Sequence, residues 1–85
     1  MAQEAARAEI QGLLKNMRLT RVGDIEDIQY QDEPAAEQAF KGSKGDGIVR
    51  VVIREDYRIY VLMCSSRKFD PVIGRRFLDS FHMYE

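Results

Sequence analysis

The chain has 85 residues, 45% of them hydrophobic and 32% charged, with a formal net charge of −1. That length holds one domain with a modest core, and that composition excludes a chain disordered throughout. The near-neutral balance argues against a protein whose task is to grip nucleic acid or an anionic membrane, the single cysteine excludes an internal disulfide, and no apolar run approaches the ~18 residues of a membrane helix.

Residues 2–17 read as a helix. Ala6, Ile10, Leu13, Leu14 and Met17 recur at three- and four-residue spacing and share a face, with Glu4, Arg7, Gln11 and Lys15 largely opposite. Gly12 weakens such a helix by ~1 kcal/mol relative to Ala and is expected to mark a close packing contact. Glu4, Arg7 and Glu9 also break any signal-peptide pattern. With Met1 as the natural start, and one cysteine suiting a reducing compartment, the expectation is a cytoplasmic protein.

Residues 18–25 are expected to be a connector, with a short strand at Leu19–Val22 and a turn at Gly23-Asp24. Residues 26–31 alternate, Ile28 and Tyr30 pointing one way, which predicts a half-buried strand ended by Asp32-Glu33-Pro34. Residues 36–41 have helical propensity but are short and lead into a glycine-rich loop. A strand with Ala36 and Phe40 inward is the favoured reading, and a short helix the competing one. Residues 42–47, Gly-Ser-Lys-Gly-Asp-Gly, form a flexible hairpin loop.

The most apolar stretch follows, two strands over 48–54 and 58–64. A tight turn centred on 56–57 pairs Ile53 with Tyr60, Val51 with Leu62 and Val49 with Cys64, giving one wholly apolar face. A turn centred on 55–56 mixes the faces. The first register is favoured, with Asp56 taking the positive φ a tight turn needs, and a longer loop as the alternative. The other face then carries Arg50, Val52, Arg54, Ile59, Val61 and Met63. It is too apolar for an ordinary solvent-facing sheet surface, and these six are the candidate interface.

Asp70-Pro71 is a helix start, with Asp as N-cap and Pro in the first turn. Ile73, Phe77 and Phe81, with Leu78 beside them, form a stripe expected to pack on the apolar face of the hairpin. Full burial of each would contribute ~1.5–3 kcal/mol, making Phe77 and Phe81 stability residues.

No group of residues assembles a catalytic or metal signature, so no catalytic residue, cofactor or metal is assigned, and the chain reads as a non-enzyme. Cys64 has no neighbouring histidine and reads as a buried inert thiol on a central strand; His82 is the only histidine. Asp24, Glu26, Asp27, Asp32 and Glu33 lack calcium-loop spacing. The run 42–47 lacks the Gly-Lys-Ser/Thr order and the following helix of a phosphate loop. Arg58, Arg67-Lys68 and Arg75-Arg76 have no interleaved aromatic residues for stacking nucleic-acid bases and read as a solvated face.

The closing Arg76-Phe77-Leu78-Asp79-Ser80-Phe81, with Arg58-Ile59-Tyr60 just after the turn, resembles the end of small uncharacterised bacterial α+β domains, which are similar in outline to PsbP-like proteins. The resemblance covers residues 48–81. The chain departs from that pattern at Asp56-Tyr57 and in its shorter sheet. The resemblance implies an antiparallel sheet with helices on it and a non-enzymatic binding or assembly role, and it carries over no site residues.

The expected fold is therefore α+β: an antiparallel meander of about four strands, 26–31, 36–41, 48–54 and 58–64, with the first and last helices packed on one face. The expected function is that of an interaction protein, a homodimer through the second face or an edge of the sheet. The alternative is a module binding a small molecule or effector near Tyr30, Tyr57 and Tyr60.

Overall fold

The computed structural model describes residues 2–54 and 58–80. Helix α1, Ala2–Asn16, leads into four strands: β1 Thr20–Tyr30, β2 Glu33–Gly42, β3 Gly45–Ile53 and β4 Ile59–Ser66. Helix α2, Pro71–Asp79, follows. The sheet is an antiparallel meander in the order β1-β2-β3-β4. The α+β meander is thus as expected, and residues 33–42 are strand.

The strands are longer than the sequence suggested. β1 runs through the expected connector because a bulge absorbs Gly23, which takes φ 74°, and the register shifts between Val22 and Glu26. Gln38 on β2 repairs the bulge. Its Nε2 donates to the carbonyls of Val22 and Gly23, at 2.9 and 3.2 Å. Gln31 and Asp32, both at positive φ, make a two-residue turn after β1 ends at Tyr30, and Pro34 lies within β2 opposite Gln29. In the second pair from such a turn, the proline nitrogen points away from β1. Likewise only Ser43-Lys44 turn between β2 and β3; the glycines expected in a loop are strand. A Cβ on Gly47 would meet the Cys64 carbonyl and, at 2.6 Å, the Phe40 ring.

The hairpin of β3 and β4 adopts neither two-residue turn. Ile53 pairs with Ile59, Val51 with Val61, Val49 with Met63 and Arg50 with Leu62, one residue out of the favoured register. Three residues, 55–57, separate Arg54 from Arg58, whose carbonyl accepts from the Arg54 N–H at 2.9 Å. The slip turns β4 over relative to β3.

The two helices lie on opposite faces, which corrects the expectation of one shared face. Ala6, Ile10 and Leu14 of α1 pack on Ala36, Phe40, Val49, Val51 and Ile53. Leu78 of α2 packs on Tyr30, Ala35, Ile48, Val52 and Leu62. The physical reason is β3. Successive side chains point to opposite faces, and almost every residue from Ile48 to Ile53 is apolar, so both faces need a cover.

Each helix also departs from its expected packing. Gly12 faces open space, with no atom within 4 Å of the point where a Cβ would stand, so it marks no close contact. Asp70 caps α2 as predicted, accepting from the Val72 N–H at 2.9 Å. But α2 rests on Gly74 and Leu78, while Ile73 and Phe77 are 64% and 63% exposed. Gly74 is the contact point because a Cβ there would lie 2.6 Å from the Phe69 ring. Phe81, His82, Asp56 and Tyr57 lie outside the described residues.

Candidate functional site

The register decides the fate of the six candidate interface residues. Arg50 and Val52 are buried under α2, and Arg54 is half-buried at the end of β3. Ile59, Val61 and Met63 lie on the other face, the side of α1, because each pairs with the odd-numbered apolar residues of β3. The six therefore do not share one face. Ile59, Val61 and Met63 stay together, and Ile59 and Val61 are each 49% exposed.

β4 is an edge strand: among the described residues no strand lies beyond it. Its outward backbone can be identified. The Arg54–Arg58 pair is hydrogen-bonded, and bonded pairs recur at every second residue of an antiparallel ladder. Tyr60, Leu62 and Cys64 thus turn their backbone groups to β3. Ile59, Val61, Met63 and Ser65 turn theirs outward.

The rim around this edge is apolar on both sides. On the α1 side stand Ile59 and Val61. On the α2 side stands Phe77, and a groove of about 300 Å³ at this edge is lined by Val61, Leu62, Met63, Phe77, Leu78 and Ser80. Phe77 is the part of this surface that the sequence misassigned to the core. The signal for it was Leu78, the neighbour that takes the core position instead.

The other edge is built differently. β1, TRVGDIEDIQY, carries Arg21, Asp24, Glu26 and Asp27 and is bent by the bulge at Gly23. Charge and bulging both discourage strand addition. β4, IYVLMCSS, has no charged residue, no proline and an unbroken register with β3.

Behind β4, under α2, lies a polar cluster that the sequence pattern did not announce. Arg50 donates from Nε and Nη2 to one oxygen of Glu37, at 2.9 and 2.7 Å, and from Nη1 to Asp79, at 2.7 Å. Arg75 donates to the other Glu37 oxygen at 2.8 Å. The Arg50 guanidinium stands 5.0 Å from the centre of the Tyr30 ring, whose hydroxyl donates to the Leu78 carbonyl. Burial opposes the charge on Arg50, but hydrogen bonds to Asp79 and Glu37 outweigh it and hold the group protonated above its ordinary range. The Glu37 hydrogen bond does the same for Arg75. With both Glu37 oxygens occupied, the cluster is a clamp joining β2, β3 and α2.

The remaining sequence candidates are dispersed. Cys64 is half-buried on the edge strand, not a central one, beside α2. Asp27 accepts two hydrogen bonds from Arg7 at 2.7 and 2.9 Å. Among the described residues no three His, Cys, Asp or Glu side chains group as metal ligands. Tyr30 is buried in the clamp and Tyr60 is half-buried against the same core cluster, while Tyr57, the third tyrosine named for ligand binding, lies outside the described residues. Ser43, Lys44 and Gly45 wall a cavity of about 470 Å³ with Met17, Leu19 and Phe40, with a strand and not a helix following the loop. Arg67, Lys68 and Arg76 are exposed. No helix among the described residues is long and apolar enough to cross a membrane. Comparison with protein-family models, curated proteins and solved structures found no match to this chain.

Proposed function

We propose that the protein is a non-enzymatic interaction protein that assembles as a homodimer through the β4 edge. The observation that carries this reading is the difference between the two edges of one sheet. β1 has the charges and bulge that keep a sheet edge from pairing, and β4 has neither. A second copy suits β4 because the strand is uncharged, so laying it against itself opposes no like charges along its length. The exposed Ile59, Val61 and Phe77 would leave water in the same event.

Analytical ultracentrifugation over a micromolar concentration series tests this. The expected result is a reversible monomer–dimer equilibrium, shifted to monomer by Val61→Glu and by Met63→Glu with the circular dichroism spectrum unchanged. A chain that stays monomeric throughout the series, or a dimer indifferent to both substitutions, would overturn the proposal.

A further inference from the structure

Resting on the reading of β4 as a dimer edge, we infer that the two copies pair antiparallel about a two-fold axis at Leu62, closing one continuous eight-stranded sheet. The argument is one of parity. Only Ile59, Val61, Met63 and Ser65 turn backbone N–H and C=O groups outward, so only odd-numbered residues can form the bonded pairs across the dimer. A two-fold axis that pairs odd with odd passes through a residue and not between two, and in the middle of β4 that residue is Val61, Leu62 or Met63. An axis at Leu62 pairs Ile59 with the partner's Ser65 and Val61 with the partner's Met63, and both again by symmetry. Every outward group of the strand is then bonded within strand. An axis at Val61 or Met63 pushes one end of β4 past the end of its partner and leaves Ser65 or Ile59 without one.

Side chains agree with this register. A two-fold axis normal to the sheet keeps like faces on the same side. On the α1 side, Val61 of each copy then stands beside Met63 of the other, joining the exposed rim into one apolar cluster. On the α2 side, Leu62 meets its own copy, and the groove below Phe77 on each chain opens onto that contact. The exposure of Phe77, which has no role in the core of one chain, is accounted for by this position over the axis. Tyr60 stands opposite the partner's Cys64 in a pair without hydrogen bonds, where Cα atoms approach to about 4.5 Å, within disulfide reach.

Two measurements on the full chain test the register separately from dimerisation. Amide exchange of the unmodified protein, followed by NMR at low and high concentration, should show Ile59, Val61, Met63 and Ser65 all slowed about tenfold once about nine-tenths of the chains are dimeric, because exchange then runs through the remaining monomer. Under oxidising conditions Tyr60→Cys should form a covalent dimer with the native Cys64, whereas the unmodified protein should not. A sedimenting dimer in which Ile59 or Ser65 exchanges freely would move the axis to Met63 or Val61 and overturn the register while leaving the dimer standing. Protection that does not change with concentration would place the cover of β4 within one chain and overturn both.

Discussion

Arg50 and Glu37 form an ion pair in which both side chains are 5% exposed, the guanidinium reaching one carboxylate oxygen with two donors at 2.7 and 2.9 Å. Removing one partner leaves the other charged and buried, which costs about 3–5 kcal/mol. Arg50→Met and Glu37→Gln should each destabilise the fold on that scale, measured by urea denaturation. The double variant should lose much less than the sum of the two, because no orphaned charge remains. Asp79, 64% exposed, is the weaker arm, and Asp79→Asn should cost under about 1 kcal/mol.

Leu78 and Phe77 exchange the roles that helical spacing alone suggests. Leu78 is 1% exposed and Phe77 63%. Leu78→Ala should cost about 2–5 kcal/mol of monomer stability, while Phe77→Ala should stay within about 0.5 kcal/mol in dilute monomer. Thermal denaturation at low concentration separates the two. Sedimentation at high concentration should report the opposite ranking for Phe77, since its place is the dimer rim.

Two glycines should respond with opposite sign. Gly47→Ala forces a Cβ against the Cys64 carbonyl, the Phe40 ring and Ser65 Cβ at 2.8 Å, an overpacking expected to cost about 1–3 kcal/mol. Gly12 lies in the interior of α1 with open space around it, so Gly12→Ala should stabilise by about 0.5–1 kcal/mol. Denaturant midpoints of the two variants check both signs.

Asp27 supplies a pH dependence whose direction follows from its partner. The hydrogen bond from Arg7 holds its carboxyl below the ordinary value despite an opposing, smaller effect of desolvation. A carboxyl with a depressed folded-state pKa contributes stability above its unfolded pKa, near about 4, and loses it as pH falls through the lower folded value. Asp27→Asn should therefore lower Tm slightly at neutral pH and leave it unchanged at the acid end. The pair is exposed, so the effect should shrink further in high salt.

The helices, the four strands and the cap at Asp70 were legible because each is a local matter of spacing, turn chemistry or capping. The register of the β3–β4 hairpin was not, because two connections each give a wholly apolar face: a two-residue turn sets Val49, Val51 and Ile53 beside Tyr60, Leu62 and Cys64, and the three-residue connection sets them beside Ile59, Val61 and Met63. Nor does the pattern show that the face of Arg50, read as the candidate interface, is buried under α2. The Glu37 carboxylate that makes Arg50 tolerable in the core lies 13 residues earlier, in a segment whose own type was ambiguous. The two-residue turn places Ile59, Val61 and Met63 on the face of Arg50, whereas the observed connection places them on the face of α1. The exposed α2 stripe was missed for a related reason. Helical periodicity finds an apolar stripe but not which half of it faces inward, and here Gly74, too small to register as apolar, sets the contact line.

The chain-order meander bears on the order of assembly. Each strand pairs with its neighbour across a short connection, so the sheet closes only small loops as it forms. The Tyr30 hydroxyl, by contrast, reaches a carbonyl 48 residues away on α2. From loop-closure entropy, contacts with that separation are expected to form after the hairpins exist. Weakening them, as in Tyr30→Phe, should leave the refolding rate nearly untouched and speed unfolding, giving a chevron in which only the unfolding arm moves. The clamp over the sheet would then act as a latch on the finished molecule, setting how long it stays folded more than how fast it gets there.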